Sequence, residues 1–177
     1  MIPNRTKNSE SRNVSVVYRR ATLADVPAIT EIYNEAILTT TATFDVEPKT
    51  VADREVWLHA HDGRFPVIVG AVGKEIAGWA SLTPWSERAA YDDTAETALY
   101  VHSTYRGRGI GRELNARIIE EARQLKFHTL IARVTEDSDA SIHLNEAAGF
   151  ILVGTVKEVG RKFGRLLDVH VMQKMLN

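Results

Sequence analysis

The chain has 177 residues, a length that suits one domain, and 44% of them are hydrophobic, which suffices for a single core. Its 22 basic and 23 acidic side chains leave a formal net charge of −1, so nothing favours general binding to nucleic acid or to an anionic membrane surface, and any anion site must be local. With no cysteine, a disulfide framework, a thiolate metal site and a cysteine nucleophile are all excluded.

Residues 1–13 are polar, with Arg5 and Lys7 but no apolar run, and read as a flexible tail rather than a signal peptide or an anchor. A single domain is expected over 14–177. No apolar stretch reaches the roughly 20 residues that span a bilayer, and a cytoplasmic protein without internal repeats is expected. Residues 14–20 read as a first strand. Thr22-x-x-Asp25 with Pro27 has the pattern of a capped helix start, and Ile29, Ile32, Tyr33, Ala36 and Ile37 supply the buried face of that helix. The threonine-rich residues 39–44 have no helical period and read as extended or loop. Phe44 is an isolated aromatic there, and such a residue more commonly plugs a core than meets a ligand.

Residues 50–61 predict a second helix, with Val56, Trp57 and Ala60 facing inward. Residues 66–72 and 75–82 are strand-like and flank Gly73-Lys74, as in a β-hairpin. Pro84 ends the second of them. Residues 85–93 are polar and aromatic without a period, a surface loop of the kind that often carries specificity. A strand follows at 97–101, then Arg106-Gly107-Arg108-Gly109-Ile110-Gly111, then a helix whose Ile110, Leu114, Ile118, Ala122 and Leu125 share one face. Residues 129–134 predict a strand, 139–148 a short helix closed by Gly149, and 151–156 and 166–172 two last strands joined by 157–165. This order of elements is α+β, or mixed α/β in a loose sense.

The glycines at 107, 109 and 111 fall at a strand-to-helix turn. Lacking a Cβ, they can take positive φ and let backbone approach a ligand, while the first amides of the helix have no intrahelical acceptor and its dipole favours an anion. A tight turn without a ligand fits the same residues. A Walker loop needs Gly-Lys-Ser/Thr, whereas Gly111 precedes Arg112 and Glu113; a dinucleotide fingerprint from Gly107 needs glycine at position 112. Both are excluded on spacing.

Three further groups are candidates for chemistry. Glu96 starts the strand that feeds this turn, and reads either as a solvated or salt-bridged strand-end glutamate or as a general base. Arg88 is shaped to grip a carboxylate or is simply a surface arginine. The six histidines (His59, His61, His102, His128, His143 and His170) show no metal-ligand spacing, so no metal is expected. Trp57, Trp79 and Trp85 suit a core or a rim better than base stacking.

Arg106-x-x-Gly109-x-Gly111 also belongs to a wider pattern: Ala90-Tyr91, Thr94-Ala95-Glu96, Tyr100-Val101, Ser141, Gly149-Phe150, Val159-Gly160, Lys162-Phe163-Gly164 and Asp168. Taken together these resemble the GCN5-related N-acetyltransferases (GNAT), in the branch that acetylates phosphinothricin and methionine sulfoximine, from about Tyr18 to Lys174. The resemblance implies a central mixed, mostly antiparallel sheet flanked by helices. In that fold the strands before the turn and after the long helix run parallel and splay apart around the coenzyme's pantetheine arm.

The resemblance further implies acetyl-CoA as co-substrate, with its pyrophosphate on Arg106, Gly107, Arg108, Gly109, Ile110 and Gly111. Among the guanidinium groups, Arg106 and Arg108 rank ahead of Arg112. Ala98, Leu99 and Tyr100 would flank the thioester, the Leu99 amide stabilising its oxygen, and Glu96 would be the base. Phe44, Arg88, Ala89, Ala90 and Tyr91 would meet a small amino-acid-like substrate: phosphinothricin, methionine sulfoximine or methionine sulfone. A homodimer is implied too, with residues 157–168 contributing to a shared site. Two positions depart from the branch. Ser138 replaces a coenzyme-binding asparagine and has shorter reach. Asn145 replaces a histidine or tyrosine near the departing sulfur; a thiolate (thiol pKa ~8.5) can leave without an acid, and His143 lies on another helix face. Protein N-terminal or polyamine acetylation on the same fold, or a non-catalytic acetyl-CoA sensor, are the alternatives.

Overall fold

The computed structural model describes residues 15–61 and 63–176, so the expected 1–13 tail lies outside the described residues. Seven strands form one sheet: β1 (Val16–Arg20), β2 (Val67–Val72), β3 (Glu75–Pro84), β4 (Thr94–Val101), β5 (Thr129–Thr135), β6 (Ile151–Lys162) and β7 (Arg165–Met175), in the order β1-β2-β3-β4-β5-β7-β6. Every neighbouring pair is antiparallel except β4–β5. The helices are α1 (Val26–Thr39), α2 (Val51–Ala60), α3 (Ile110–Gln124) and α4 (Asp139–Ala147). Among the described residues no helix is long and apolar enough to cross a membrane.

Alternation along the strands divides the core in two. Ile68, Ala80, Leu82, Ala95, Leu130 and Ala132 face α3, whose Ile110, Leu114, Ile118 and Ala122 are buried as the helical period requires. Val67, Val69 and Trp79 face the other way, onto Ile29 and Ile32 of α1. Burying each such side chain contributes roughly 1.5–3 kcal/mol.

The start of α1 shows how local chemistry sets an element. Thr22 precedes a 3₁₀ turn, Leu23–Asp25, that leads into α1 with Pro27 in its first turn. The Asp25 carboxylate accepts hydrogen bonds from the Thr22 amide (2.8 Å) and from Arg19 (2.6 and 2.8 Å). Burial pushes this carboxyl up, but the hydrogen bonds from Arg19 and Thr22 together outweigh it, leaving a pKa below the ordinary aspartate value. A lowered folded-state pKa contributes stability above the unfolded pKa of about 3.9, which is lost as pH falls through the folded value. Asp25→Asn is therefore expected to destabilise the fold by about 1–3 kcal/mol at pH 7. In urea titrations its deficit against the parent should close in acid; a deficit that stays constant down to pH 2 would remove the ion pair as its cause.

Three expectations are corrected. Val56 is 72% exposed and Ala60 is exposed too; the inward side of α2 carries Trp57, Leu58 and Arg54. The Arg54 guanidinium lies 3.4 Å from the Trp57 ring centroid and also over Tyr33 and Trp79. Burial lowers its pKa to about 10, so it stays charged and is stabilised by the ring faces. Val56 is two residues from Arg54 and therefore points away. Second, β4 begins at Thr94, three residues before the expected start, so Glu96 lies inside the strand.

Third, β6 and β7 continue through most of the segment expected to join them, turning at Phe163 and Gly164 (φ 49° and 76°). Charged residues hide the strand pattern on this solvated edge. A bulge at Glu158 (φ 48°) interrupts the register between Val156 and Gly160. Asp168 holds it by accepting from the Glu158 amide (2.8 Å) and from Lys157 (2.5 Å).

Candidate active site

A 3₁₀ turn, Ser103–Tyr105, ends the approach from β4, and Gly107 and Gly109 then take φ of 73° and 80°. A Cβ at either would meet nothing within 4 Å, so the left-handed backbone rather than crowding demands glycine. Gly109 is the N-cap of α3 and no side chain caps it, so the amides of the first turn remain free donors. Gly111 differs: a Cβ there would make ordinary contacts with Val101, Leu99 and Leu144 at 3.5–3.8 Å.

Arg106 donates from Nε to the Val101 carbonyl (3.0 Å) and so ties the turn to β4. Arg108 rests over the Tyr105 ring, 5.3 Å away. A cavity of about 810 Å³ opens beside the turn, lined by Arg106, Gly107, Gly109, Ile110, Gly111 and Arg112 on one side and by residues 137–141 on the other. Arg112, ranked last from sequence, therefore lines this cavity, and Arg108 does not.

The parallel strands β4 and β5 pair only at Thr94–Thr129, Ala95–Leu130 and Glu96–Ile131, although both continue. Beyond Glu96 they part, and every second amide on that edge of β4 loses its strand partner. A second cavity of about 670 Å³, a size typical of small-molecule sites, occupies the fork. It shares Thr41, Ala42, Leu99, Tyr100, Ser138, Ser141 and Leu144 with the first, so one passage runs from the glycine turn to Glu96. Ala98 and Thr97 line it as well.

Glu96 is largely enclosed, its side chain 18% exposed, and its two oxygens accept from Arg133 Nε (2.6 Å) and Nη2 (2.8 Å). The pair follows from the register: Glu96 stands opposite Ile131, and Arg133 is two residues further on the same face, just where the strands separate. Among the residues lining this cavity only one is acidic and one basic, and they are these two. Arg133 also lies 5.9 Å from the Trp85 ring. Burial pushes the phenols of Tyr33 and Tyr100 up, so both stay protonated and neither competes as a base.

Phe44 lines the same cavity, 39% exposed, with its ring against Gly160, where a Cβ would come within 2.1 Å of it. Buried Lys162 donates to the Thr43 carbonyl (2.7 Å), so the β6–β7 hairpin fixes the loop bearing Phe44. These contacts give the Val159-Gly160 and Lys162-Phe163-Gly164 pattern a physical basis. Ser138 donates to Ser141 Oγ (2.9 Å), and buried Asn145 donates to the Ser141 carbonyl (3.0 Å). His143 is exposed, bonded to the Asp139 carbonyl, and does not line the cavity.

Arg88 and the short turn Ala89–Tyr91 are exposed and line neither cavity; from residues 85–93 only Trp85 does. Arg133 and Asn115 line the cavity at the fork with no role expected from sequence. Arg133 is an isolated charge in a strand whose other residues are buried, a signal that marks the residue but names no partner. Asn115 is 4% exposed on the buried face of α3, and its amide nitrogen has no hydrogen-bond partner among the described residues. A polar residue beside Leu114 was the available signal. No group of three or more His, Asp or Glu that could hold a metal ion occurs among the described residues.

The model of the acetyltransferase (GNAT) family matches residues 29–150. An L-methionine sulfoximine/L-methionine sulfone acetyltransferase of Salmonella typhimurium is 37% identical over 160 residues, 90% of this chain and 94% of that one. A GNAT superfamily phosphinothricin acetyltransferase from Sinorhizobium meliloti, solved in complex with acetyl-CoA, superposes with a TM-score of 0.88 at 32% identity, covering 92% of this chain and 89% of the other. A ribosomal-protein-alanine N-acetyltransferase from Brucella melitensis also reaches 0.88, at 41% identity over 90% of this chain and 99% of that one.

Proposed function

The chain belongs to the GNAT acetyltransferase family, and from that premise we propose that it transfers the acetyl group of acetyl-CoA to the α-amino group of a small amino-acid-like compound. Phosphinothricin, methionine sulfoximine and methionine sulfone are the first candidates, after the substrates in the relatives' names. The observation that carries this reading is the single passage joining an uncapped helix start to an enclosed carboxylate.

The residues present fit the coenzyme. The free amides of Ile110 and Gly111 and the open backbone at Gly107 and Gly109 suit a pyrophosphate, with Arg106, Arg108 and Arg112 nearby. The unpartnered Asn115 amide suits an acceptor in the passage. Acetyl-CoA, when bound, supplies a thioester whose carbonyl carbon forms the new C–N bond as its C–S bond breaks and the thiolate leaves.

Glu96 takes the proton that the substrate ammonium must lose before its nitrogen can attack, directly or through water. The unpaired β4 edge, with the Leu99 amide as donor, stabilises the negative charge on the carbonyl oxygen. Ser138 offers a hydroxyl toward the coenzyme. Asn145 cannot donate a proton of useful acidity, so water reprotonates the thiolate. Phe44 meets the substrate side chain, and residues 88–91 act from outside the cavity as its rim.

Free thiol release from acetyl-CoA, with mass spectrometry of the products, tests this reading. Release is expected with at least one of the three named amines. Coenzyme binding without release for any amine would leave a sensor, and products from peptide N termini or polyamines alone would overturn the substrate class. We also read the protein as a homodimer, supported by exposed Ile151, Val153, Val159 and Phe163 on edge strand β6 or its turn; a monomer mass by light scattering would refute that.

A further inference from the structure

We infer that Arg133 receives the free α-carboxylate of the substrate and thereby selects free amino acids over amides, peptide N termini and polyamines. This deepens the proposed function and rests on it.

The argument begins with charge. The cavity at the fork is lined by a single acid and a single base, Glu96 and Arg133, already in hydrogen-bond contact. An α-amino acid is the matching zwitterion: one ammonium and one carboxylate on the same carbon. Its entry replaces one ion pair by two, ammonium on Glu96 and carboxylate on Arg133, and the summed charge in the cavity stays zero. No uncompensated charge is enclosed, which is what makes burial of such groups tolerable.

Geometry agrees. A guanidinium has two edges that can grip a carboxylate, one formed by Nε and a terminal nitrogen and one by both terminal nitrogens. Arg133 uses the first on Glu96, while Nη1 makes no hydrogen bond among the described residues. The side chain is 57% exposed, so the second edge is open to an arriving anion. Because the two protein charges touch, both ends of an α-amino acid can be met at once. A peptide N terminus or a polyamine brings the ammonium without the carboxylate and leaves Arg133 competing for the base. Arg88, the carboxylate grip expected from sequence, is exposed outside this cavity.

The test compares kcat/KM for L-methionine sulfone and for its α-carboxamide in the parent, Arg133→Ala and Arg133→Lys, with acetyl-CoA binding measured by calorimetry in each. The parent should prefer the free acid by roughly 100-fold, and Arg133→Ala should lose most of that preference, the acid falling further than the amide and mainly through KM, while any loss common to both reports the broken contact with Glu96. Arg133→Lys keeps the charge without the fork and should fall between them. Equal losses on acid and amide would reduce Arg133 to a positioning residue for Glu96 and overturn the inference, as would a preference that survives in Arg133→Ala. Unchanged coenzyme binding certifies the fold of each variant; if the alanine variant does not fold, the lysine variant decides on the same comparison. A parent inactive on all three named amines would instead remove the proposed function itself.

Discussion

Replacing Glu96 with glutamine is expected to lower kcat by about 10²–10⁴-fold while acetyl-CoA still binds. Glutamine nearly preserves the shape of the side chain and one acceptor oxygen, but it cannot take a proton from an ammonium. No other lining group can step in: the Tyr33 and Tyr100 phenols are held protonated by burial, Arg133 is a permanent cation, and Asn115 and Asn145 are neutral. The deficit should narrow as pH rises, because an increasing fraction of the amine then arrives without the proton that Glu96 removes. The variant also leaves Arg133 without its partner, so KM is expected to change as well. Steady-state rates from pH 6 to pH 10 decide the matter; activity equal to the parent across that range would remove Glu96 as the base.

Gly109→Val is expected to weaken acetyl-CoA binding by at least tenfold. The residue sits at φ 80°, ψ −3°, where a β-branched side chain costs about 1–2 kcal/mol or more in strain. Its Cβ would project into open space beside the first free amides of α3, the space a phosphate needs. Strain and blockage act together, so the loss should fall mainly on coenzyme affinity. Gly111→Ala is the informative contrast. Its Cβ would meet only side-chain carbons at 3.5–3.8 Å, and its backbone is helical, so its cost should be far smaller. Calorimetry with acetyl-CoA reads both; equal affinities for Gly109→Val and the parent would disconnect this turn from the coenzyme.

These expectations draw on different levels of the molecule. The glycine turn was legible in the sequence because its causes are local: tolerance of positive φ belongs to a residue, and the 3.6-residue period of α3 repeats within a few turns. The same holds for Thr22, Asp25 and Pro27 at the start of α1, and for the hairpin around Gly73-Lys74, which the structure retains. Glu96 was legible only through its neighbours in the pattern, since a glutamate near a strand end has many uses.

Val56 was misassigned because the partner that fixes the face of α2 is not on α2. Arg54 turns inward to stack on Trp57 and on Trp79 from β3, and no helical period announces an arginine as a core residue. The long β6–β7 hairpin was hidden for a related reason, its strand pattern masked by charges that an edge strand leaves in solvent.

By itself, then, the sequence determined the class of fold and the glycine turn, and it singled out Glu96 only through the pattern around it. Tertiary structure alone decided that β4 and β5 part just beyond Glu96, that Arg133 reaches it across 37 residues, and that Lys162 holds Thr43 across 119. The physical reason is range. Backbone preference and side-chain period act over a few bonds, whereas an ion pair or a ring against a glycine depends on which distant strands lie side by side.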